Sequence, residues 1–442
     1  MTVEAAITET LIEEVAVGVA PPLISDADRL KIFLFGGGLL LFINFSSPAY
    51  GLIDIPVSFF LKNKLHLHAN ELAVFKLWAG APLFLGFMFG LLRDRWSPFG
   101  LGDRGHLMVF GLATGLIYAS ITLLNPTYAV MLAGLFAATV TFQIVGSAAA
   151  GLISTIGQQR AMAGQISAVH SIAASLPGLG SYLLGGVLSG FLEGQNAINA
   201  ARILFLVGAG LMGVIALFGV IGPRSLFGAA SAVRPTTSFS QDVVRLVKHW
   251  PIYPVVMIQT LWQFAPGAGI VLQYHMANTL HATDAQWGAW NAIFLGSFLP
   301  IYLAYGFLCQ RVRLSRLLWF GFAVAVFQMV PLLFVHDAVG ALIAAVPMGV
   351  IGGVAQASLV DLTIRSCPKG LQGTMMMLFV ALYYISVRFG DLFGTWLYDR
   401  HGGFVTAVWA TIIVYALILP VLLLVPKRLI ATTDGEALAV EG

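Results

Sequence analysis

The chain has 442 residues, of which 58% are hydrophobic and only 10% charged, with a formal net charge of +3. Its mean hydropathy of +0.88 excludes a large soluble catalytic domain and makes a lipid bilayer the expected solvent. A spanning helix needs about 20 apolar residues, so this length holds about twelve spans with short connections. The 48 glycines fit that reading, because small residues let membrane helices approach closely where lipid gives no hydrophobic drive to pack.

The first 28 residues carry Glu4, Glu9, Glu13, Glu14, Asp26 and Asp28 and no basic residue before Arg29, the opposite of a cleavable signal peptide. Residues 1–30 therefore read as a cytoplasmic tail. Apolar runs then predict spans near 31–61, 70–92, 105–124, 128–157, 163–190 and 201–222. A polar stretch, 223–250, follows and reads as a linker; its segment Ser238 to Trp250 has the pattern of a short amphipathic surface helix. A second set of runs lies near 251–276, 285–308, 316–335, 339–364, 373–398 and 404–425, with 426–442 as a second cytoplasmic tail. The expected fold is an all-α membrane protein of 12 transmembrane helices in two six-helix repeats, 31–222 and 251–425. Cys309 and Cys367 both fall at predicted cytoplasmic helix ends and are expected as free thiols.

Charge asymmetry orients the chain. If span one enters from the cytoplasm, most basic residues collect on that side, among them Arg93, Arg95, Arg104, Arg160, Arg245, Arg311, Arg365 and Lys427. Lys62, Lys64, Arg202 and Arg400 fall on the other. The positive-inside rule then puts both termini in the cytoplasm, in a multi-pass protein of the cell inner membrane.

The two sets repeat one another. Gly90 to Arg95 after span two corresponds to Gly306 to Arg311 after span eight, a shift of 216 residues. Pro48-x-x-Gly51 reappears as Pro266-x-x-Gly269, and Leu67-His68-Ala69 as Leu280-His281-Ala282, at shifts of 218 and 213. Parallel six-helix repeats with a binding site between them are the architecture of the major facilitator transporters. Gly90 to Arg104 resembles the loop signature of that superfamily, Gly-x-x-x-Asp-Arg followed by further basic residues. In such a loop Gly90 allows close helix approach and Asp94 can cap or pair with a neighbouring helix terminus. Arg95, Arg104 and, in the repeat, Arg311 can form pairs that break when the halves rock.

A narrower resemblance covers about half the chain. Ser366 to Thr374 resembles the turn between spans ten and eleven of the folate-biopterin transporter family. Leu261 to Leu280 resembles its seventh span and the following loop, and Asp94 to Gly105 its Asp-x-x-Pro-x-x-Gly loop. The resemblance implies a folate- or pterin-like substrate. The chain departs from the family where a lysine late in span two and acids in span four are usual, having Gly86 at the first place and Gly146, Ser147 and Ala148 at the second.

Ionisable groups inside a membrane are costly, so each is a functional candidate. Asp54 and Lys76 can form a structural pair, or Asp54 can carry a proton whose affinity Lys76 tunes. His170 reads as an interior histidine and Asp361 as an anchor for Arg365. In span eleven Arg388 lies about fifteen residues, or roughly 22 Å, beyond Gly373. There it must face the bundle or a water-filled cavity, with Asp391 three residues on either satisfying it or orienting it toward a substrate carboxylate. Uncharged polar and aromatic groups gather in spans one, four and seven, among them Asn44, Tyr50, Gln143, Trp262 and Gln263. They are candidates for a few placed hydrogen bonds on an apolar wall.

The chain holds no phosphate loop of the Walker type and no His/Cys cluster with metal-ligand spacing. No cofactor, metal, nucleic acid or enzymatic activity is expected. The expected function is secondary active transport of a small, anionic organic solute by alternating access, coupled to a proton or ion, by a monomer in the bilayer. The alternative from another class is a transporter-like protein that does not transport and serves as a membrane assembly factor or sensor.

Overall fold

The computed structural model describes residues 25–436, apart from 50–51, 55–56, 58–60, 62–64, 66, 68, 125–126, 194–196 and 232–238. No strand occurs among the described residues. Eight helices among them are each long and apolar enough to cross a membrane. Spans three to six are Asp103–Leu123, Tyr128–Gln159, Ala163–Glu193 and Ala197–Ile221. Spans eight to twelve are Asp284–Leu308, Leu314–Ala325 with a 3-10 turn at Val330–Phe334, Ala338–Ser366, Gln372–Arg400, and Gly403–Ala416 with Ile418–Leu422. Starts are fixed by side chains that accept from orphan backbone N–H groups: Thr127 for span four, Thr283 in a capping box with Gln286 for span eight, and Asp337 for span ten.

Spans one, two and seven differ from the continuous runs expected. The helix of span one, Asp26–Phe45, stops two residues short of Ser47-Pro48, and span seven is split into Ile252–Gln263 and Gly269–Asn278. Both interruptions coincide with the repeated Pro-x-x-Gly. Proline removes a donor and clashes with the preceding turn, and Gly269 sits at φ +53, a conformation that favours glycine. Backbone freed in this way must find partners inside the protein. Tyr118 donates its hydroxyl to the Ser46 carbonyl at 2.8 Å, Gly267 N–H donates to Thr411 Oγ1 at 2.7 Å, and Ile270 N–H donates to Asp391 Oδ1 at 3.3 Å. Span two consists of Ala69–Ala79, Ala81–Phe84 and Gly86–Arg95.

Between spans six and seven lie Arg224–Ser231 and Phe239–Lys248, the second within the expected amphipathic stretch. The end of the bundle that carries them is called here the linker end, and the opposite one the far end. Within each set span three packs on six and ten on eight and nine; across the sets span two meets eleven, four meets eleven, five meets eight and five meets ten. The cross-set contacts thus come as two related pairs, two with eleven and eight with five. Cys309 and Cys367 are free thiols, and both are buried.

Candidate functional site

At the linker end span two is pressed against the start of span eleven. A Cβ added to Gly90 falls on the Gly373 carbonyl oxygen and 2.6 Å from Thr374 Cα, so only glycine fits. Four residues on, the buried Asp94 accepts from Gly373 N–H at 3.1 Å, Thr374 N–H at 2.7 Å and Thr374 Oγ1 at 2.6 Å. An anion at a helix N-terminus satisfies unpaired donors and the positive end of the dipole together. Arg93 donates to Asp94 at 2.7 Å and, through Nε and Nη2, to both oxygens of Asp103 at 2.6 and 2.5 Å. All three side chains are at most 6% exposed. A buried charge is tolerable only when paired and hydrogen-bonded, and here two carboxylates and one guanidinium share that burden with a helix terminus.

Arg93 and Asp103 are members of this cluster that sequence reading left out. Asp103 is brought back by the turn 98–102, where Phe99, Gly100 and Gly102 all have positive φ. The second Asp-Arg of the segment, Asp103-Arg104, was the available signal.

The other residues expected at this end fall in different places. Arg95 reaches the linker helix and donates to Asp242 at 2.7 Å. Arg104 closes the end of span six, donating to the carbonyls of Gly219 and Val220 at 2.8 and 2.6 Å over the ring of Phe227, and so stays within one set. Arg311 is exposed at the turn after span eight. Gln158 adds a cross-set tie, its Nε2 donating to the carbonyls of Ile364 and Cys367 and its Oε1 accepting from Gln372. The linker joins in, with His249 Nε2 3.1 Å from the Ser366 carbonyl.

Beyond this seal the same face of span eleven is open. Gly373, Met377, Ala381, Tyr384 and Arg388 recur at helical spacing. Gly373 and the Met377 carbonyl touch Gly90 and Gly86 of span two, while Arg388, three turns past Met377, has a side chain 60% exposed. Asp391 lies 3.9 Å from Arg388 and is only 12% exposed, because it also caps the second piece of span seven. Beside this break Phe264 forms an open apolar groove with Phe389, Leu392, Phe393 and Trp396.

Asp54 and Lys76 are a pair at 3.0 Å, half-buried rather than sealed, with side chains 31% and 38% exposed. Asn44 donates to the Leu40 carbonyl of its own helix at 2.8 Å. Gln143 is buried against Gly86, and its Nε2 has no hydrogen-bond partner among the described residues. Trp262 is turned into the second set, stacked on Tyr415 at 4.7 Å, edge-on to Phe322, and donating to Gln356 Oε1 at 2.6 Å. It packs a helical core and lines no part of the exposed face of span eleven. Gln263 is half-buried beside the break in span seven, and Tyr50 lies outside the described residues. Asp361 holds Arg365 at 2.7 Å, as expected of an anchor.

The helices take the twelve-helix fold found in solved structures of major facilitator superfamily transporters. Three solved structures are similar to the chain over nearly its whole length. The proton:xylose symporter XylE bound to 6-bromo-6-deoxy-D-glucose matches with a TM-score of 0.67 at 14% identity, covering 92% of this chain and 98% of that one. The transporter FucP in the outward conformation gives 0.66 at 16%, covering 89% and 99%. The human organic anion transporter MFSD10 gives 0.59 at 15%, covering 90% and 100%. No family model and no curated protein sequence matches the chain.

Proposed function

We propose that the protein is a secondary transporter that carries a small anionic organic solute across the inner membrane by alternating access, with the linker end cytoplasmic and shut in this structure. The observation that carries this reading is the contrast along one face of span eleven, welded to span two at Gly373 and Thr374 and exposed at Arg388. A cleft that is closed at one end by breakable polar contacts is what a rocking carrier needs. Solute recognition is assigned to Arg388, whose guanidinium can grip a carboxylate through two parallel bonds. Asp391 is engaged by Ile270 N–H and sits 3.9 Å away, so it steadies Arg388 without occupying its fork. The half-helix of span seven that starts at Gly269 turns its positive end to Asp391 and so holds that carboxylate beside Arg388. The anion class agrees with one structural neighbour, an organic anion transporter, and with the folate-biopterin resemblance of spans seven to eleven. The test is uptake into proteoliposomes of organic anions from small monocarboxylates to pterins, with and without an imposed pH gradient. Saturable, gradient-dependent uptake is expected. No flux of any compound under either condition would replace this reading with that of an assembly factor or sensor.

Arg388→Lys keeps the charge and loses the fork. It is expected to raise the apparent KM about tenfold, the worth of one charge-assisted hydrogen bond, while the melting temperature of the purified protein holds. An unchanged KM in both Arg388→Lys and Arg388→Gln would remove the residue from the site.

Coupling is assigned to Asp54 with Lys76. Asp54→Asn is expected to abolish gradient-driven accumulation and to leave downhill exchange, which needs no net proton release. If Asp54→Asn instead fails to accumulate in the membrane, and Asp54→Asn with Lys76→Met restores expression, the pair is scaffold.

A further inference from the structure

The second cross-set contact repeats the first with one part exchanged. Where span two faces Leu371-Gln372-Gly373-Thr374, span eight faces Met162-Ala163-Gly164-Gln165 at the start of span five. In both, the glycine and the residue after it are the second and third of the helix and present N–H groups to the other set. Asp94 answers them in the first contact. The repeat shift of 216 puts Gln310 at the matching position, but Gln310 is exposed and turns back to the Gly306 carbonyl at 2.8 Å. Of span eight, the residue packed against Gly164 is Cys309; Asp361 of span ten also comes up against Gly164, but its carboxylate takes no bond from Gly164 or Gln165. Neither Gln310 nor Cys309 offers a carboxylate.

One arrives from elsewhere in the chain. Asp434 Oδ1 accepts from Gly164 N–H at 3.0 Å and Oδ2 from Gln165 N–H at 2.8 Å. Arg365 pairs with Asp434 at 3.1 Å, as Arg93 does with Asp94. The adjoining backbone is fastened on both sides. Asp434 N–H donates to the Cys309 carbonyl at 3.0 Å, Gly435 N–H to the Ala161 carbonyl at 2.7 Å, and Arg365 Nη1 to the Thr432 carbonyl at 3.2 Å. Asp361, the other acid nearby, is already engaged by Arg365 Nε and by the Tyr305 hydroxyl at 2.9 Å.

We propose that residues 427–436 are a cross-set latch, in which Asp434 supplies the carboxylate that the second copy of the loop lacks, so that this segment must leave Gly164 and Gln165 whenever the linker end opens. The segment follows span twelve of the second set and binds span five of the first, so its contact cannot survive separation of the sets there. It makes the seal double, with one acidic cap built into span two and one carried on a short strap.

The native thiols read this without a known substrate. Cys309 Sγ is 3.5 Å from Asp434 Oδ2 and reports the strap itself. Cys367 belongs to the other contact, its Sγ 3.6 Å from Ser154 Oγ of span four, and is uncovered when the sets part. Burial pushes the Cys367 thiol up to about 12, so its alkylation waits on opening. The full chain is purified in detergent, treated with N-ethylmaleimide, and each cysteine followed by peptide mass spectrometry.

Asp434→Ala is expected to speed alkylation of Cys367 about fivefold, the loss of one helix cap. Gly435→Pro should do the same without touching the charge, since proline has no N–H and cannot adopt the φ of +92 found there. Adding Cys309→Asp to Asp434→Ala restores a carboxylate beside Gly164 and should return Cys367 to its slow rate. Faster reaction of Cys309 alone, with Cys367 unchanged in Asp434→Ala and Gly435→Pro, would make the segment a local cover and overturn the latch. Failure of Cys309→Asp to slow Cys367 would overturn the substitution of one carboxylate for the other.

Discussion

Asp94→Asn is expected to unlock the linker end while the protein still folds. The native carboxylate is 1% exposed and takes three hydrogen bonds from the first turn of span eleven and one from Arg93. An amide can keep one of these acceptors, turns an N–H toward donors for another, and carries no charge to set against the helix dipole. Arg93 is not abandoned, because Asp103 holds it with two bonds. The full cost of breaking a buried pair, about 3–5 kcal/mol, is therefore reduced to about 2–3, a shift of roughly 30- to 150-fold toward the open linker end. Cys367 alkylation should rise by that order, and uptake should fall because the carrier no longer returns to the closed state. Wild-type alkylation together with wild-type uptake would take the closing role away from Asp94.

Gly90→Ala is expected to reach a similar end by steric means. Its methyl group meets the Gly373 carbonyl and the Thr374 Cα, backbone atoms that cannot swing aside as a side chain would. Overpacking of this kind costs about 1–3 kcal/mol, and here the strain is relieved by parting spans two and eleven, which loses the three bonds to Asp94 as well. Gly306→Ala is the matched control. There the nearest atom to an added Cβ is the Ala168 methyl at 3.4 Å, ordinary contact, so uptake and Cys367 alkylation should remain near wild type. Equal effects of the two substitutions would mean that glycine at 90 serves no close approach.

The sequence showed what repeats and what is locally encoded. The twin Pro-x-x-Gly motifs marked the two places where spans one and seven are interrupted, though apolarity alone had drawn both as unbroken. The Gly-x-x-x-Asp-Arg motif pointed to Gly90 and Asp94 because the same turn of one helix carries both. What it could not disclose was rotation. Span seven is apolar around most of its circumference, so nothing in its pattern told that Trp262 faces Tyr415 and Phe322 within its own set. Arg388 was expected to turn from lipid because it is charged. Its side chain is 60% exposed, which depends on the neighbouring helices and is not written in the pattern of span eleven. Asp434 was invisible for a third reason: its partners Gly164 and Gln165 are about 270 residues away, and one of three acids in a tail carries no pattern.

The split in span seven also divides how that span can move. Its first piece is pinned through the indole of Trp262, in contact with spans nine, ten and twelve. Its second piece is held at one end by the Ile270 bond to Asp391, and further along by His275 stacked on Phe404 at 3.9 Å. Between the two lie only Phe264 to Ala268, where Phe264 N–H still donates to Thr260 and Ala268 N–H closes a turn on Ala265, leaving Ala265 to Gly267 outside the helical hydrogen-bond ladder. Bending at Ala265 to Gly267 breaks no helical bond, so on the carrier reading proposed above a lever of about three turns can swing at the far end while the deeper core keeps its packing. On the carrier reading proposed above, the two ends differ in mechanics: one shuts by charge at the ends of rigid rods, and the other by flexure within a rod.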